Sequence, residues 1–472
     1  MTEPRISPDA LRALLGPSQP GVPAYRWLSE RITLLVADGR VLPGVRLPSE
    51  RALSDVSGMS RTTIVRAFSH LTESGFLESR RGSGRVVRLP VHDVPRAREP
   101  MPASSSRNEP DRSLDLTSAA PSAAPGVFEA LRSALDTLPS YTAGSGYVAG
   151  GLPVLRRAIA ERYTRRGLAT DPENVLVTSG ALDAIRLLAQ HLVRPGSRVV
   201  VETPGYPNAF TALRTAGARL VGVPVNSPEI DVPALLDAAR STGAVAILVI
   251  ADFHNPTGRL LDDAARTALV DGARSLGVRL IADETLVETR LDRDAPVPAP
   301  VGGRGAGAIL VGSAAKTYWG GLRLGWIRAP RRTVADLARA RLSGSLADPV
   351  LEQLALATLL HERPGLDDEK RERLRGARDT AVRLVRESMP GWEVPVPPGG
   401  LSLWCRLPGP TSSALAVAAG RQGVALAPGS SFSATGHGLE HHVRIPFTLP
   451  PDELADALAR VARASLEVSG AQ

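Results

Sequence analysis

The stretch VGSAAKTYWGGLRLGW, residues 311–326, places one lysine among small and apolar residues. The chain has 56 basic residues, yet Lys316 and Lys370 are its only lysines. A desolvated lysine amine can lose its proton and condense with an aldehyde, whereas an arginine guanidinium stays protonated in proteins. Lys370 lies in the charge run DDEKRERLR, which predicts a solvated helix residue. Lys316 is therefore the candidate for a Schiff base, and a plain surface lysine is the alternative.

Apolar runs that end in small or polar residues surround this stretch. From about Asn174 they are VLVTSG, VVVETPGY, AILVIADFHNPTG, VRLIADET and AILVGSAAK, and helical patterns separate most of them. This alternation predicts an α/β sheet, in which ligands bind beyond the carboxyl ends of the strands. The polar residues expected at that edge are those of 178–180, Tyr206, Asn255, Asp283, Ser313 and Lys316.

Residues 21–89 have the pattern of a small helical domain that ends in a hairpin. Apolar residues at helical spacing before Gly39 predict a first helix, and they are Tyr25, Leu28, Ile32, Leu35 and Val36. Ser49 is the predicted N-cap of a second, short helix. Ser60 and Gly75 are the predicted start and stop of a third helix, SRTTIVRAFSHLTESG.

The third helix has two distinct faces. The apolar face is formed by Ile64, Ala67, Phe68 and Leu71. The opposite face carries Thr62, Arg66 and Ser69, with Arg61 at the N-terminal end. The next segment, FLESRRGSGRVVRL, predicts two strands around a Gly-Ser-Gly tip that is flanked by Arg80, Arg81 and Arg85. This is the layout of a winged helix-turn-helix, whose third helix enters the DNA major groove; a helical domain with an exposed polar helix is the alternative.

Charge and composition narrow the class of protein. Residues 1–100 contain 15 arginines against 10 acidic residues, so five of the eight net positive charges lie there. That excess favours an acidic partner such as nucleic acid, although a solvated surface is the commoner cause. Residues 90–113 are rich in proline, serine and charge, which predicts a flexible linker.

Other features indicate the compartment. Cys405 is the only cysteine, which excludes an internal disulfide and fits a reducing cytoplasm. The N-terminal residues lack the apolar centre of a signal peptide, and no apolar run is long enough to cross a bilayer. We therefore expect a soluble cytoplasmic protein with no membrane partner and no metal site.

The N-terminal motifs carry a family resemblance. The segment GVRLPSERALSDVSGMSRTTIVRAFSHLTESGFLESRRGSG closely resembles the DNA-binding domain of GntR-type bacterial regulators. The resemblance implies that DNA is contacted by Arg51, Ser60, Arg61, Thr62 and Thr63, with Arg81 and Gly82 at the wing. Arg66 faces outward by helix geometry, while Val65 stands where some members have a base-reading arginine. Which bases are contacted stays open.

Residues 114–472 resemble fold-type I pyridoxal-phosphate enzymes of the aminotransferase class I/II group, with a small C-terminal part from about residue 340. VTSGALDAI resembles the loop whose backbone amides bind the phosphate, here at Gly180, Ala181 and Leu182. The resemblance implies that Tyr206 of TPGYP stacks on the pyridine ring and that Asn255 of HNPTG donates to the phenolic oxygen. Asp283 of IADE would keep the pyridine nitrogen protonated.

Further residues follow from the same resemblance. GSAAKTYWGGLRLG supplies Ser313 and Arg323 for the phosphate and Lys316 for the internal aldimine. Arg444 of HHVRIPF matches an arginine that clamps a substrate α-carboxylate in bidentate fashion. Tyr147 precedes a Gly-Gly turn and would reach the phosphate of a partner subunit, although the local spacing differs from that of the family.

Each of these residues also has a plain structural interpretation. Asn255 could be a turn residue beside Pro256, Asp283 could cap a helix, Tyr206 could pack in the core, and Arg444 could be a surface charge. Their joint order along the chain favours the cofactor site. The sequence departs from the family after Asp283, because Thr285 and Leu286 stand where many relatives have a tyrosine. Transamination is therefore expected to be slow or absent.

A GntR-type domain joined by a linker to an aminotransferase-like domain is the architecture of MocR-type regulators, which this chain resembles along nearly its whole length. The resemblance implies a homodimer that binds double-stranded DNA with two half-sites. The effector would be pyridoxal phosphate or an amino compound, sensed through an aldimine at Lys316. An active aminotransferase with an attached DNA-binding domain is the first alternative, and a fold that binds DNA constitutively is the second.

Overall fold

The computed structural model describes residues 5–18, 21–37, 40–42, 44–80, 84–88, 114–225, 231–302 and 307–470. The predicted linker, 90–113, and the wing residues Arg81 and Gly82 lie outside the described residues. The described residues form two compact units. One lies within Met1–Ala97 and Ala123–Arg132, and the other within Arg98–Ser122 and Ser133–Gln472.

The N-terminal unit has the predicted winged helix-turn-helix elements and one further helix, α1 (Pro8–Leu15), before them. The predicted elements are helices α2 (Ala24–Ala37), α3 (Glu50–Ser57) and α4 (Arg61–Glu73), followed by strands β1 (Leu77–Arg80) and β2 (Gly84–Val87), which pair antiparallel. The predicted caps are confirmed. The hydroxyl of Ser49 accepts from the Ala52 amide at 3.2 Å, and that of Ser60 accepts from the Thr63 amide at 3.1 Å. Gly75, with φ +79°, ends the third predicted helix.

The core of this unit lies under the apolar face of α4. Ile64, Ala67, Phe68 and Leu71 are fully buried there, as the helical spacing predicts. Helix α1 contributes Leu11 and Leu15 to the same core, so the core includes residues before position 21.

The rest of the chain continues the numbering. The helices are α5 (Val127–Thr137), α6 (Pro139–Thr142), α7 (Pro153–Arg165), α8 (Ala181–Leu192), α9 (Pro207–Thr215), α10 (Val232–Thr242), α11 (Asp263–Ser275), α12 (Arg331–Arg341), α13 (Val350–Glu362), α14 (Asp368–Ser388), α15 (Ser412–Arg421) and α16 (Pro451–Gly470). The strands are β3 (Leu114–Leu116), β4 (Val175–Thr178), β5 (Arg198–Thr203), β6 (Arg219–Pro224), β7 (Ala246–Ile250), β8 (Arg279–Asp283), β9 (Ile309–Ser313), β10 (Gly325–Arg328), β11 (Ser402–Arg406), β12 (Val424–Leu426) and β13 (His442–Pro446).

Within the described residues, seven strands form the large sheet of the second unit. Their order is β4-β10-β9-β8-β7-β5-β6, and only β10 runs antiparallel to its neighbours. The α/β sheet predicted from the sequence is therefore confirmed, and the antiparallel β10 makes it a mixed sheet. Because the other six strands are parallel, their carboxyl ends meet at one edge, which is where an open sheet of this kind binds ligands.

A smaller part packs around α14, α15 and α16. It contains the antiparallel pair β11 and β13 and the parallel pair β12 and β3. Its buried core draws mainly on residues 114–119 and on residues from Leu366 onward, with Phe253, Leu286 and Leu291 between them. Val334 and Leu337 of α12, just before the predicted boundary near 340, pack on the large sheet. The boundary itself stays a prediction.

No helix in the described parts of the chain is both long and apolar enough to span a membrane.

Candidate cofactor site and DNA-binding helix

The phosphate-binding loop predicted from VTSGALDAI joins β4 to α8. Gly180 precedes the helix with φ +97°, a backbone conformation that L side chains rarely adopt. The guanidinium of Arg323 donates from Nη2 to the carbonyl of Ser179 at 3.0 Å, and a Cβ on Gly180 would lie 3.4 Å from the same nitrogen. A helix N-terminus and an arginine are thus brought together, an arrangement that suits an anion.

Lys316 lies just beyond the end of β9. The Oγ of Ser313, the last residue of that strand, accepts from the Ala315 amide at 3.1 Å. Lys316 follows in a π-helical turn, Ala315–Trp319, and its side chain is half-buried. Its Nζ donates to the carbonyl of Ala119 at 3.1 Å, so the lysine bridges the sheet edge and the segment that follows β3.

Asp283 ends β8 beside this turn and is buried. Its Oδ1 accepts from the Thr285 amide at 2.8 Å. Burial raises the pKa of Asp283, while hydrogen bonding from Thr285 and the positive charge of Lys316 act in the opposite direction. A buried carboxyl of this kind is stabilised as a carboxylate by a nearby cation, and a pyridinium is such a group.

Tyr206 follows β5 and is half-buried at the same edge. It lines one cavity together with Asp283 and Glu202. The amide Nδ2 of Asn208 donates to the Tyr206 hydroxyl at 3.2 Å. The aromatic ring and the carboxylate that the sequence predicted at the strand ends are therefore neighbours.

Arg444, on β13, connects three parts of the second unit. It is 2% exposed, so the interpretation as a surface charge is wrong. Its Nη1 donates to Oδ1 of Asn255 at 3.1 Å, and its Nη2 donates to the carbonyl of Thr117. The guanidinium also lies over the ring of Phe432, 4.8 Å from the centroid, a favourable cation–π arrangement.

Tyr147 differs from Asp283 and Arg444 because it is not buried. Its side chain is 68% exposed on the surface of the unit. Its role toward a partner subunit stays a prediction.

The sequence interpretation missed Glu202 and His254, which are buried beside the predicted site. Oε2 of Glu202 accepts from the Ile250 amide at 2.7 Å and lies 3.5 Å from Nε2 of His254. Nδ1 of His254 is 2.9 Å from the Thr257 hydroxyl. An acidic residue within the apolar run VVVET and a histidine directly before Asn255 were the signals available in the sequence.

Burial sets the protonation of this pair. It raises the pKa of Glu202 to about 8 and lowers the pKa of His254 to about 3. Burial therefore favours the neutral form of both groups over an ion pair.

Lys370 corrects a second sequence expectation. The charge run predicted a solvated residue, but Lys370 is 1% exposed. Its Nζ donates to the carbonyls of Thr317, Ser122 and Tyr318 at 2.9, 3.3 and 3.4 Å. The reason is helical spacing: Lys370, Leu374 and Arg378 recur every four residues on the buried face of α14.

In the N-terminal unit, the residues predicted to contact DNA lie together on α3 and α4. Five of them, Arg51, Ser60, Arg61, Thr62 and Arg66, are exposed, and Thr63 is half-buried. The hydroxyls of Ser60 and Thr63 lie 2.8 Å apart. The guanidinium of Arg66 lies 3.9 Å from the centroid of the Tyr25 ring, which orients it on the exposed face.

Arg85, predicted beside the wing tip, is held inward instead. Its Nε pairs with Glu50 at 3.1 Å, and its guanidinium lies 5.4 Å from the ring centroid of Phe68. It fixes β2 against the helices.

Two known protein families match the chain, one for each unit. Residues 127–461 match the aminotransferase class I and II family, and residues 24–87 match the bacterial regulatory proteins of the gntR family. The chain is 31% identical over 363 residues to the probable rhizopine catabolism regulatory protein MocR of Rhizobium meliloti, covering 72% of each chain. The chain belongs to the MocR-type transcriptional regulators.

A second relative matches almost end to end. The HTH-type transcriptional regulator TauR of Rhodobacter capsulatus is 28% identical over 488 residues, which covers 95% of this chain and 98% of TauR. Among solved structures, the aminotransferase LysN of Thermus thermophilus, complexed with N-(5'-phosphopyridoxyl)-L-leucine, aligns with a TM-score of 0.69 and 26% identity. That alignment covers 76% of this chain and 94% of LysN. The second unit of this MocR-type regulator therefore has the fold of a pyridoxal-phosphate aminotransferase.

Proposed function

We propose that this MocR-type regulator binds pyridoxal phosphate at Lys316 and changes its DNA affinity with the state of that site. The observation that carries the proposal is the convergence of an amine, a buried carboxyl and an anion-binding helix end. Lys316 follows β9, Gly180 follows β4 and Asp283 ends β8, so all three lie at the carboxyl edge of the large sheet. Pyridoxal phosphate, when bound, supplies an aldehyde and an electron-withdrawing ring.

The donor set at this edge fits such a group. The amides of Ala181 and Leu182, the Ser313 hydroxyl and the Arg323 guanidinium would hold the phosphate, with Gly180 leaving room for its approach. Asp283 would pair with the protonated pyridine nitrogen, and that charge would offset the burial that raises its pKa.

The remaining ring contacts come from neighbouring loops. Tyr206, which shares a cavity with Asp283, would stack on the ring. Asn255 would donate to the phenolic oxygen from its Nδ2, while its Oδ1 keeps the bond from Arg444. Tyr147 would reach the phosphate of a partner subunit.

Lys316 supplies the link between ligand and structure. Its Nζ donates to the carbonyl of Ala119, and that contact would be lost if the same nitrogen bonded to the cofactor. Two residues away, the carbonyl of Thr117 accepts from Arg444 of the smaller part. Loss of the contact between Lys316 and Ala119 would therefore alter the segment that also holds β13. Arg444 would bind the carboxylate of an amino-compound effector.

DNA would be bound by the exposed face of α3 and α4, together with the wing. Arg51, Arg61 and Arg66 supply positive charge there, and the hydroxyls beside them can donate to phosphates. A homodimer would present two such faces to two half-sites. By linkage, a ligand that alters DNA affinity must itself bind differently when DNA is present.

The site does not favour catalytic turnover by transamination. Thr285 lies two residues after Asp283, which would bind the pyridine nitrogen, and the Thr285 amide donates to the Asp283 carboxylate. Leu286 is buried in the core of the smaller part. Neither position supplies a phenol to the cofactor oxygen, so Asn255 acts there without that second donor. Sustained conversion of an amino donor and a keto acceptor would instead support the rival function, an aminotransferase.

Reductive trapping tests the cofactor site directly. The full-length protein is titrated with pyridoxal phosphate, reduced with borohydride and digested for peptide mass analysis. Because the chain has only two lysines, the labelled peptide identifies the amine without ambiguity. We expect the label on Lys316 and none in Lys316→Ala. A label on Lys370, or equal labelling of both proteins, would contradict the proposal.

A further inference from the structure

Both lysines of the chain donate to carbonyls of one short segment, residues 119–122. Lys316 donates to Ala119, while Lys370 donates to Ser122, three residues later. Lys370 also donates to the carbonyls of Thr317 and Tyr318, the two residues that follow Lys316. The second lysine thus holds together the turn that carries the first lysine and the segment that the first lysine contacts.

The geometry around Lys370 suits an ammonium group. An ammonium has three N–H donors, and three carbonyls lie within 3.4 Å of its nitrogen. Burying this charge is costly, since burial lowers the pKa of Lys370 to about 7, with Arg373 acting in the same direction and Asp367 opposing it. A methionine or leucine would fill the same space without that cost, but it would leave the three carbonyls without the ammonium donors.

The helix that carries Lys370 belongs to the smaller part. Leu374, Ala381 and Val385 of α14 lie in its core, while the turn Ala315–Trp319 follows β9 of the large sheet. Lys370 is therefore a direct polar connection between the helix of one part and the Lys316 turn of the other.

We propose that Lys370 is a positioning residue, which ties the Lys316 turn and residues 119–122 to α14 so that a change at Lys316 reaches the smaller part. The inference deepens the proposed function and rests on it for the role of Lys316. The contacts themselves belong to the protein without cofactor.

Arg371 provides a matched control on the same helix turn. Its Nε donates to the carbonyl of Arg290 at 3.2 Å and its Nη2 to that of Leu366 at 2.9 Å. It is thus also a cation that holds backbone carbonyls, but those carbonyls lie outside the Lys316 turn. Lys370→Met and Arg371→Met each remove a cation that holds backbone carbonyls, and Arg371→Met also removes an ion pair with Asp368.

Two measurements on the full-length proteins test the proposal. Hydrogen exchange without cofactor is followed in residues 117–122 and 315–319, and pyridoxal phosphate affinity is measured from the visible absorption of the bound cofactor. Lys370→Met is expected to speed exchange in both segments and to weaken affinity about tenfold, the loss of roughly one hydrogen bond to a charged group. Arg371→Met should leave both segments and the affinity as in the wild type.

The outcomes separate this inference from the proposed function. If the wild type binds the cofactor at Lys316 and Lys370→Met matches it in exchange and affinity, the positioning role is wrong and the proposed function stands. If the wild type does not bind the cofactor but Lys370→Met alone speeds exchange in the two segments, the contacts are as described and the proposed function fails. Equal effects of both variants would reduce Lys370 to a general stabilising residue and overturn the inference.

A third variant keeps the test usable if Lys370→Met does not fold. Lys370→Gln retains two N–H donors on a shorter side chain and loses the charge. We expect exchange in residues 117–122 and 315–319 to rise above the wild type while the rest of the second unit is unchanged. Wild-type exchange in this variant would contradict the positioning role.

Discussion

The exposed face of α4 and the carboxyl edge of the large sheet use polar side chains in opposite ways. On α4, Arg61, Thr62 and Arg66 are exposed and come from one short stretch of chain. Asp283 at the sheet edge and Arg444 on β13 are buried, far apart in sequence and held by fixed partners. Exposed charges act additively and are screened by salt, whereas buried ones depend on their partners. Substitutions should therefore change DNA affinity in the first region and stability or ligand binding in the second.

The largest effect is expected from Arg444→Met. The substitution removes the donors to Asn255 and Thr117 from a buried position, which should lower the free energy of unfolding by about 3 kcal/mol. Urea-induced unfolding of the full-length protein measures this. Arg406→Met is the matched control, because Arg406 lies on the neighbouring strand β11 and forms an exposed ion pair with Glu393 at 2.7 Å. A surface pair of that kind contributes about 1 kcal/mol or less, so equal losses in the two variants would contradict the contrast.

Glu202→Gln should change the pH dependence of stability. Because burial raises the folded-state pKa of Glu202 to about 8, above its unfolded value, the folded state holds a proton that the unfolded state releases. The stabilisation is complete below the ordinary pKa of 4.5 and is lost progressively as the pH rises from there to about 8. Glutamine mimics the protonated carboxyl, so the variant should match the wild type near pH 5 and exceed it near pH 9, by on the order of 2 kcal/mol. Parallel stability curves for the two proteins would show that Glu202 is ionised when folded.

Arg61→Ala should affect DNA affinity without affecting stability. Loss of one phosphate contact is expected to weaken binding about tenfold and to reduce the slope of log affinity against log salt by about 1. Fluorescence anisotropy over a salt series gives both quantities. Arg194→Ala is the control, since Arg194 is an exposed arginine of the second unit. An unchanged slope in Arg61→Ala would place this arginine outside the DNA interface.

The smallest effect is expected from Tyr25. Its ring orients Arg66 at 3.9 Å, a contact worth about 0.5–1 kcal/mol at an exposed site, so Tyr25→Leu should weaken DNA binding about two- to fivefold. Tyr25→Phe keeps a ring under the guanidinium and serves as the control. If the leucine and phenylalanine variants bind DNA equally, the ring does not position Arg66 for binding.

Local signals in the sequence predicted much of this fold. Ser49, Ser60 and Gly75 mark helix ends through capping and backbone conformation, which depend only on neighbouring residues. The five apolar runs ending in polar residues correspond to parallel strands, since a strand buried on both faces is apolar along its length. Strand β10, GWIR, was missed because it is short and ends in an arginine, and α1 was missed because its core contacts are with later helices.

The composition of the site was harder to predict where partners are distant in sequence. Lys370 lies in a run of charged residues, and its burial depends on the carbonyls of Ser122 and Thr317, which the tertiary fold brings together. Glu202 is similar, because its acceptor role toward Ile250 depends on the pairing of β5 with β7. Motif order predicted which residues meet at the sheet edge, but not which buried groups lie behind them.

The most direct test of the regulator's mechanism is DNA affinity with and without pyridoxal phosphate. A labelled fragment of the DNA upstream of its gene is titrated at one fixed salt concentration with the wild type and with Lys316→Ala, and anisotropy gives the Kd. We predict that the cofactor changes the wild-type Kd about fivefold or more and leaves that of Lys316→Ala unchanged. Equal Kd values in all four conditions would contradict the claim that Lys316 couples the cofactor to DNA binding.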